Sequence, residues 1–217
     1  MSARKPIDLG LYLVVGPDVT RGRPVRDVVL AAVAGGATAV QLRQKEGRTR
    51  DFVNQARALL PELRARGVPL VVNDRVDVAM AVGADGVHVG QDDMQAADVR
   101  RLVGDTMIVG LSITTADEAR LADPALVDYA GVGPIFATPS KSDAAPPMGL
   151  EGTREACRLL RVPAVAIGGI DAANAAEVIA AGVEGVSVIS AICGADDPER
   201  AARELARVVR AARAVRA

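Results

Sequence analysis

Eight short apolar runs alternate with eight segments of helical character, glycines and caps punctuate the alternation, and a polar cluster closes nearly every run. These three observations predict an α/β protein, a single-domain (β/α)8 TIM barrel over residues 1–217. Brief valine-rich runs suit parallel strands covered on both faces, because a strand with one wet face would alternate apolar with polar residues.

The first run, Leu11–Val15, leads to a helix over Val25–Ala34, and the second, Ala39–Leu42, to a helix over Arg50–Arg66 that Gly67 ends. Leu70–Val72 precedes Val76–Val82, which Gly83 closes, and Gly86–Val89 precedes Ala96–Val103. Met107–Leu111 precedes Ala116–Leu121, where Thr115 and Glu118 make a capping box. Tyr129–Val132 is followed by a long segment rich in proline, glycine and polar residues, then a helix over Thr153–Leu160. Ala164–Ile167 precedes Ala172–Ala181, with Asp171 placed to cap it and Gly182 just beyond. Val186–Ile189 precedes the last helix, Pro198–Ala214. Glycine directly after a helix supplies the left-handed residue that commonly ends one.

In the last helix Ala201, Leu205, Val208, Ala212 and Val215 recur at helical spacing, which puts Arg200, Arg203, Arg207, Arg210 and Arg213 mainly on a solvated face. A faint echo relates Gly83–Val89 to Gly182–Val188, at the entries to the fourth and eighth strands, and half-barrel similarity would produce it. An open doubly wound sheet is the structural alternative, but no Gly-x-Gly-x-x-Gly fingerprint follows the first strand.

Composition narrows the function. The chain is 50% hydrophobic, yet no apolar stretch approaches the roughly 20 residues a bilayer span needs. The N-terminal residues lack the apolar region of a secretory signal, so a cytoplasmic enzyme is expected. A net charge of -1 and 2% aromatic residues offer neither the basic surface nor the stacking platform for nucleic acid, and no membrane affinity is expected. Cys157 and Cys193 read as small hydrophobes rather than a disulfide or metal knuckle.

The strand-end clusters carry the chemistry. Gly168-Gly169 follows the seventh strand and Ile189-Ser190 ends the eighth, where barrels often bind phosphate through backbone N–H groups; two tight turns are the plainer alternative. Thr138-Pro139-Ser140-Lys141 opens the long segment after the sixth strand, which reads either as a lid over a charged substrate or as a solvated loop. Arg43 and Lys45 share one face of the second strand and Gln41 falls on it as well, because side chains alternate along a strand; such convergence needs a ligand or a counter-charge such as Asp74 or Asp93. Asp74 and Asp93 are themselves candidates for a magnesium site, with helix capping as the competing role for each. His88, the only histidine, reads better as a barrel-lining residue than as a catalytic base.

Over essentially its whole length the chain resembles the thiamine phosphate synthase family. The matching stretches are Gln41–Lys45, Val72–Asp74, Asp85–Asp93, Gly110–Ser112, Gly131–Lys141, Ala166–Ile170 and Val188–Ile192. The resemblance implies a magnesium-dependent transferase that joins a (diphosphooxymethyl)pyrimidine to a (phosphooxyethyl)thiazole, or its carboxylated form, releasing diphosphate and thiamine phosphate. It implies that Gln41, Arg43, Lys45, Asn73, Ser112 and Lys141 bind the pyrimidine diphosphate. Asp74 and Asp93 would hold Mg2+, and Thr138, Ser140, Gly168, Ile189 and Ser190 would hold the thiazole phosphate beside Gly169. Arg43, Lys45, Lys141 and Ser112 would form the catalytic set. Gln44 and Ala137 are the local variations, and neither removes a charged ligand. A related thiazole tautomerase would not need the full diphosphate set, and a non-catalytic phosphometabolite sensor would not need both subsites. The sequence leaves room for a homo-oligomer.

Overall fold

A computed structural model describes residues 6–138 and 145–216. Eight parallel strands, β1 (Leu11–Val15), β2 (Ala39–Leu42), β3 (Leu70–Asn73), β4 (Gly86–Val89), β5 (Ile108–Ile113), β6 (Tyr129–Val132), β7 (Ala164–Ile167) and β8 (Gly185–Val188), pair in sequence order. β1 pairs with β8, with Leu13 beside Val188, and the barrel closes.

Outside it run α1 (Val25–Ala34), α2 (Thr49–Arg64), α3 (Val76–Val82), α4 (Ala96–Val103), α5 (Ala116–Leu121), α6 (Gly149–Leu159), α7 (Ala175–Ala180), α8 (Ser190–Cys193) and α9 (Pro198–Arg216). The short α8 is absent from the sequence reading: a single turn is too brief to show periodicity. It takes Ile189 out of the eighth strand and into its N-cap position.

Alternation along each strand divides the apolar residues into two layers. Leu11, Leu13, Val40, Leu42, Val72, Val87, Val109, Val132 and Val186 belong to the core shared with the helices. Tyr12, Ala39, Val71, Ile108, Tyr129 and Val165 form a second cluster inside the barrel. Above these, the inward positions turn polar at Gln41, Asn73, His88 and Ser187, all buried.

Strand register is pinned at the N-terminal end by side chains just before alternate strands. Thr38 Oγ1 accepts from Leu11 N at 3.0 Å, Asp85 Oδ2 from Leu70 N at 3.1 Å, and Asp128 Oδ2 from Val109 N at 2.7 Å. Asp128 is held in turn by Arg100 at 2.7 Å, with both side chains nearly buried. The echo between the β4 and β8 entries has a steric basis. A Cβ on Gly86 would lie 2.9 Å from the Ile108 carbonyl oxygen, and one on Gly185 would lie 1.9 Å from that of Leu9.

Helix α9 corrects its expected face. Ala202, Leu205, Ala206 and Val209 are the buried residues, while Val215 is 91% exposed. Leu205 belongs to both stripes, and Val208 and Ala212 still pack partly buried against the core, so the face is turned only slightly and Val215 leaves it. Cys193 is buried and Cys157 half-buried, both as free thiols; burial pushes the Cys193 thiol up to about 12.

Candidate active site

A cavity of about 420 Å³ opens at the C-terminal ends of the strands, a volume typical of small-molecule sites. Arg43 and Lys45 beyond β2, Asn73 and Asp74 at the end of β3, Asp93 after β4 and Ser112 on β5 line one side. Thr138 after β6, Gly168 and Gly169 after β7, and Ile189 and Ser190 after β8 line the same cavity from the other side. Ser140 and Lys141 lie outside the described residues, and with them most of the expected lid.

On the charged side, Lys45 Nζ sits 2.7 Å from Asp74 Oδ2. The Arg43 guanidinium, only 11% exposed, reaches no nearer than 3.9 Å to Asp18. β2 ends at Leu42, so strict strand alternation does not extend to Arg43 and Lys45. Asp74 adopts a left-handed conformation, φ 59, with its N–H donating to the His88 carbonyl at 2.8 Å. Aspartate tolerates this region better than bulkier residues, but the conformation still costs free energy and clusters at functional sites.

Asp93 Oδ2 accepts from Gly90 N at 2.7 Å. Neither aspartate caps a helix: the N-cap positions of α3 and α4 are Arg75 and Gln95, without side-chain cap bonds. Burial, reinforced by the adjacent Asp93 carboxylate, raises the Asp74 pKa, while Lys45 opposes the rise. The hydrogen bond to Asp74 raises that of Lys45. Two neighbouring carboxylates served by one lysine form a hard-oxygen donor set suited to a divalent cation. Among the described residues, no group of three or more His, Cys, Asp and Glu could hold a metal alone. That is compatible with magnesium, whose shell is usually completed by water and substrate phosphate.

The opposite side is built from backbone. Gly168 has φ 106 and Gly169 φ 65. A Cβ on the first would lie 2.6 Å from Pro134 Cβ, and on the second 2.7 Å from Phe136 Cβ. Phe136 N donates to the Gly168 carbonyl at 3.0 Å and Asn174 Nδ2 to that of Gly169 at 2.9 Å, fixing the turn. Beside it, α8 starts at Ser190, and Arg23 donates to the carbonyls of Cys193 and Ala195 at its far end.

Below the cavity a line of polar contacts crosses the barrel. Gln41 Nε2 donates to the Tyr12 hydroxyl at 3.1 Å, and the Tyr12 and Tyr129 hydroxyls are 2.8 Å apart. Tyr129 Oη lies 2.9 Å from His88 Nδ1, and His88 Nε2 lies 2.9 Å from Ser112 Oγ. His88 is thus a buried barrel-lining residue with both ring nitrogens engaged. Gln41 does not line the cavity; it sits deeper, against Tyr12.

Five polar residues of the cavity escaped the sequence reading as site residues: Gln91, Asp92, Thr114, Glu118 and Ser187. Gln91 was visible in the cluster closing the fourth run, and its Nε2 donates to the Ser112 carbonyl at 2.7 Å. Glu118 was visible only as a capping residue. The cap exists, with Thr115 Oγ1 accepting from Glu118 N at 3.2 Å, but the Glu118 carboxylate accepts from Thr114 N at 2.6 Å. Ser187 gave one signal, a polar residue inside an apolar run.

Residues 11–192 match the family model described as thiamine monophosphate synthase. A thiamine-phosphate synthase from Chloroflexus aurantiacus is 51% identical over 209 residues, covering 96% of this chain and 96% of that protein. One from Albidiferax ferrireducens is 51% identical over 201 residues, covering 93% of this chain and 92% of its own. The solved thiamine phosphate pyrophosphorylase from Pyrococcus furiosus superposes with a TM-score of 0.87 at 38% identity, covering 94% of this chain and 97% of that one. A solved 3-hexulose-6-phosphate synthase, at 17% identity and a TM-score of 0.68 over 92% of this chain and 99% of its own, shares the fold alone.

Proposed function

The chain belongs to the thiamine monophosphate synthase family, and from that premise we propose how its rim divides the labour of the family's reaction. The protein is a transferase that couples a (diphosphooxymethyl)pyrimidine with a (phosphooxyethyl)thiazole, giving thiamine phosphate and diphosphate. The carrying observation is that one cavity has a charged side and a glycine-turn side. The first suits a diphosphate and the second a single phosphate.

In the proposed mechanism the bond between the pyrimidine methylene carbon and the diphosphate oxygen breaks, and its electron pair leaves with diphosphate. The thiazole nitrogen then donates its lone pair to the methylene cation and closes the new carbon–nitrogen bond. Arg43 can grip two phosphate oxygens at once, Lys45 adds a compact charge, and Ser112 and Asn73 supply neutral contacts beside them. Lys141, outside the described residues, is a further cation for the leaving group by its family position. Asp74 and Asp93 would hold Mg2+, which when bound neutralises charge building on the departing oxygens. The turn at Gly168-Gly169, with Ile189 and Ser190, would anchor the thiazole phosphate and align its nitrogen with the methylene carbon. Holding both reactants in one water-poor site makes a bimolecular step effectively unimolecular. No strong base or nucleophile is required. Two phosphorylated small-molecule substrates favour a cytoplasmic enzyme. No described helix is long and apolar enough to cross a membrane.

Product analysis tests this directly. Thiamine phosphate should form only when both substrates and Mg2+ are present, and omission of any one should abolish it. Tight binding of one phosphorylated ligand with no coupled product would instead identify a sensor.

A further inference from the structure

We propose that Gln41, Tyr12, Tyr129 and His88 are positioning residues that act as a one-way hydrogen-bond chain and leave Ser112 a hydrogen donor towards the cavity. The direction follows from the chain's two ends. An amide nitrogen can only donate, so the Tyr12 oxygen accepts from Gln41 Nε2 and its own hydrogen must go elsewhere. The neighbour in line is Tyr129 Oη. Tyr129, accepting from Tyr12, donates to His88 Nδ1. A neutral imidazole with Nδ1 accepting carries its hydrogen on Nε2, which donates to Ser112 Oγ. The Ser112 hydroxyl hydrogen then remains for the cavity that Ser112 lines.

The barrel interior is shaped for this chain. Strand register sets His88 beside Gly110, and Gly110 beside Tyr129. A Cβ on Gly110 would fall 2.2 Å from Tyr129 Cζ and 2.4 Å from His88 Nδ1, so only glycine permits their contact across β5. The two tyrosine rings meet edge-on, centroids 5.8 Å apart at 66°. Burial raises the pKa of both phenols, which keeps a hydrogen on each. A buried chain of this kind would be costly if one link faced the wrong way, because two donors or two lone pairs would then meet.

The partner Ser112 meets rests on the proposed function: it is an oxygen of the pyrimidine diphosphate. In the reverse arrangement Ser112 would donate its hydrogen to His88 Nε2 and present only lone pairs to that anion, which would repel it.

As His88 is the only histidine, nitrogen NMR of the histidine-labelled protein reads its tautomer without ambiguity and without substrate. The expected result is one fixed neutral tautomer, protonated at Nε2; protonation at Nδ1 overturns the chain. In Tyr129→Phe the two tautomers should begin to average, whereas an unchanged spectrum in the folded variant also overturns it. Kinetics supply an independent arm. Ser112→Ala should lower kcat/KM for the pyrimidine diphosphate about tenfold or more, the scale of a lost bond to a charged group. Tyr129→Phe should lower it several-fold, and the double variant should be no worse than Ser112→Ala alone. Simple multiplication of the two losses contradicts coupling. An active enzyme with the wrong tautomer defeats the chain alone, and the right tautomer in a protein making no thiamine phosphate defeats the functional proposal alone.

Discussion

At the residue scale the charged side of the rim carries the sharpest expectations. Asp74 is half-buried beside Asp93, and both effects raise its pKa against the pull of Lys45. A carboxyl whose folded pKa is raised stabilises the fold below the ordinary carboxylate range, and that contribution is lost as pH rises through the raised value. Near neutral pH the ionised Asp74 carboxylate, only partly offset by Lys45, therefore costs stability that a bound divalent cation would restore. Added Mg2+ should raise Tm at neutral pH, the gain should shrink in acid, and Asp93→Ala should abolish it. The same variant should cripple turnover far more than stability, since the Asp93 contact seen here is one bond from Gly90 N. Unchanged magnesium-dependent turnover in folded Asp93→Ala would remove Asp93 from the metal site. Gly110→Ala is an overpacking test: its methyl would sit on Tyr129 and His88. It should cost about 1–3 kcal/mol or more by urea denaturation; wild-type stability would mean that the two rings are free to move apart. The charged residues at the rim were legible as strand-end clusters because such residues rarely end apolar runs without a partner. The depth of Gln41 was not, because it depends on β2 stopping at Leu42 and on Tyr12 arriving from the neighbouring strand.

At the element scale the rim is only as well placed as the strand register. Asp128 accepts from Val109 N, and Arg100 holds it while also donating to the carbonyls of Leu126, Gly104 and Met107. Arg100→Met should take the guanidinium away from a nearly buried carboxylate and cost about 3–5 kcal/mol in denaturant unfolding. Adding Asp128→Asn should recover part of the loss. Equal stability of Arg100→Met and the parent would show that water replaces the guanidinium at no cost. β1, β2, β4, β6 and β7 end where their apolar runs end, β2 before Arg43 and the other four before a glycine. β5 instead runs on to Ile113, carried past Ser112 by pairing of Ser112 and Ile113 with Gly131 and Val132, a contact distant in sequence. The one-turn α8 was not legible for a related reason. Its far end is held by Arg23 from the loop after β1, which adds to the turn's own backbone bonds from Gly194 N to Ser190 O and from Ala195 N to Ile192 O.

At the scale of the whole molecule, closure of the barrel decides what can meet. Ends of β2, β3, β4 and β5 supply the charged side, and ends of β6, β7 and β8 the other, so neither half of the chain holds a complete site. The fold was legible because eight alternating units with short connections allow few other arrangements. The differing character of the rim was legible from residue types, cations and carboxylates after the second to fourth runs and glycines after the seventh, while the assignment of its parts to two substrates comes from the family resemblance. The polar interior beneath was not, since tyrosines in strands read as ordinary core. The most direct test is a crystal structure with Mg2+, thiamine phosphate and diphosphate bound together. Diphosphate should lie against Arg43 and Lys45 with the metal on Asp74 and Asp93, and the thiamine phosphate group should lie in the turn at Gly168-Gly169 beside Ser190. Both products clustered on one side of the rim, or either bound away from it, would contradict the two-sided site.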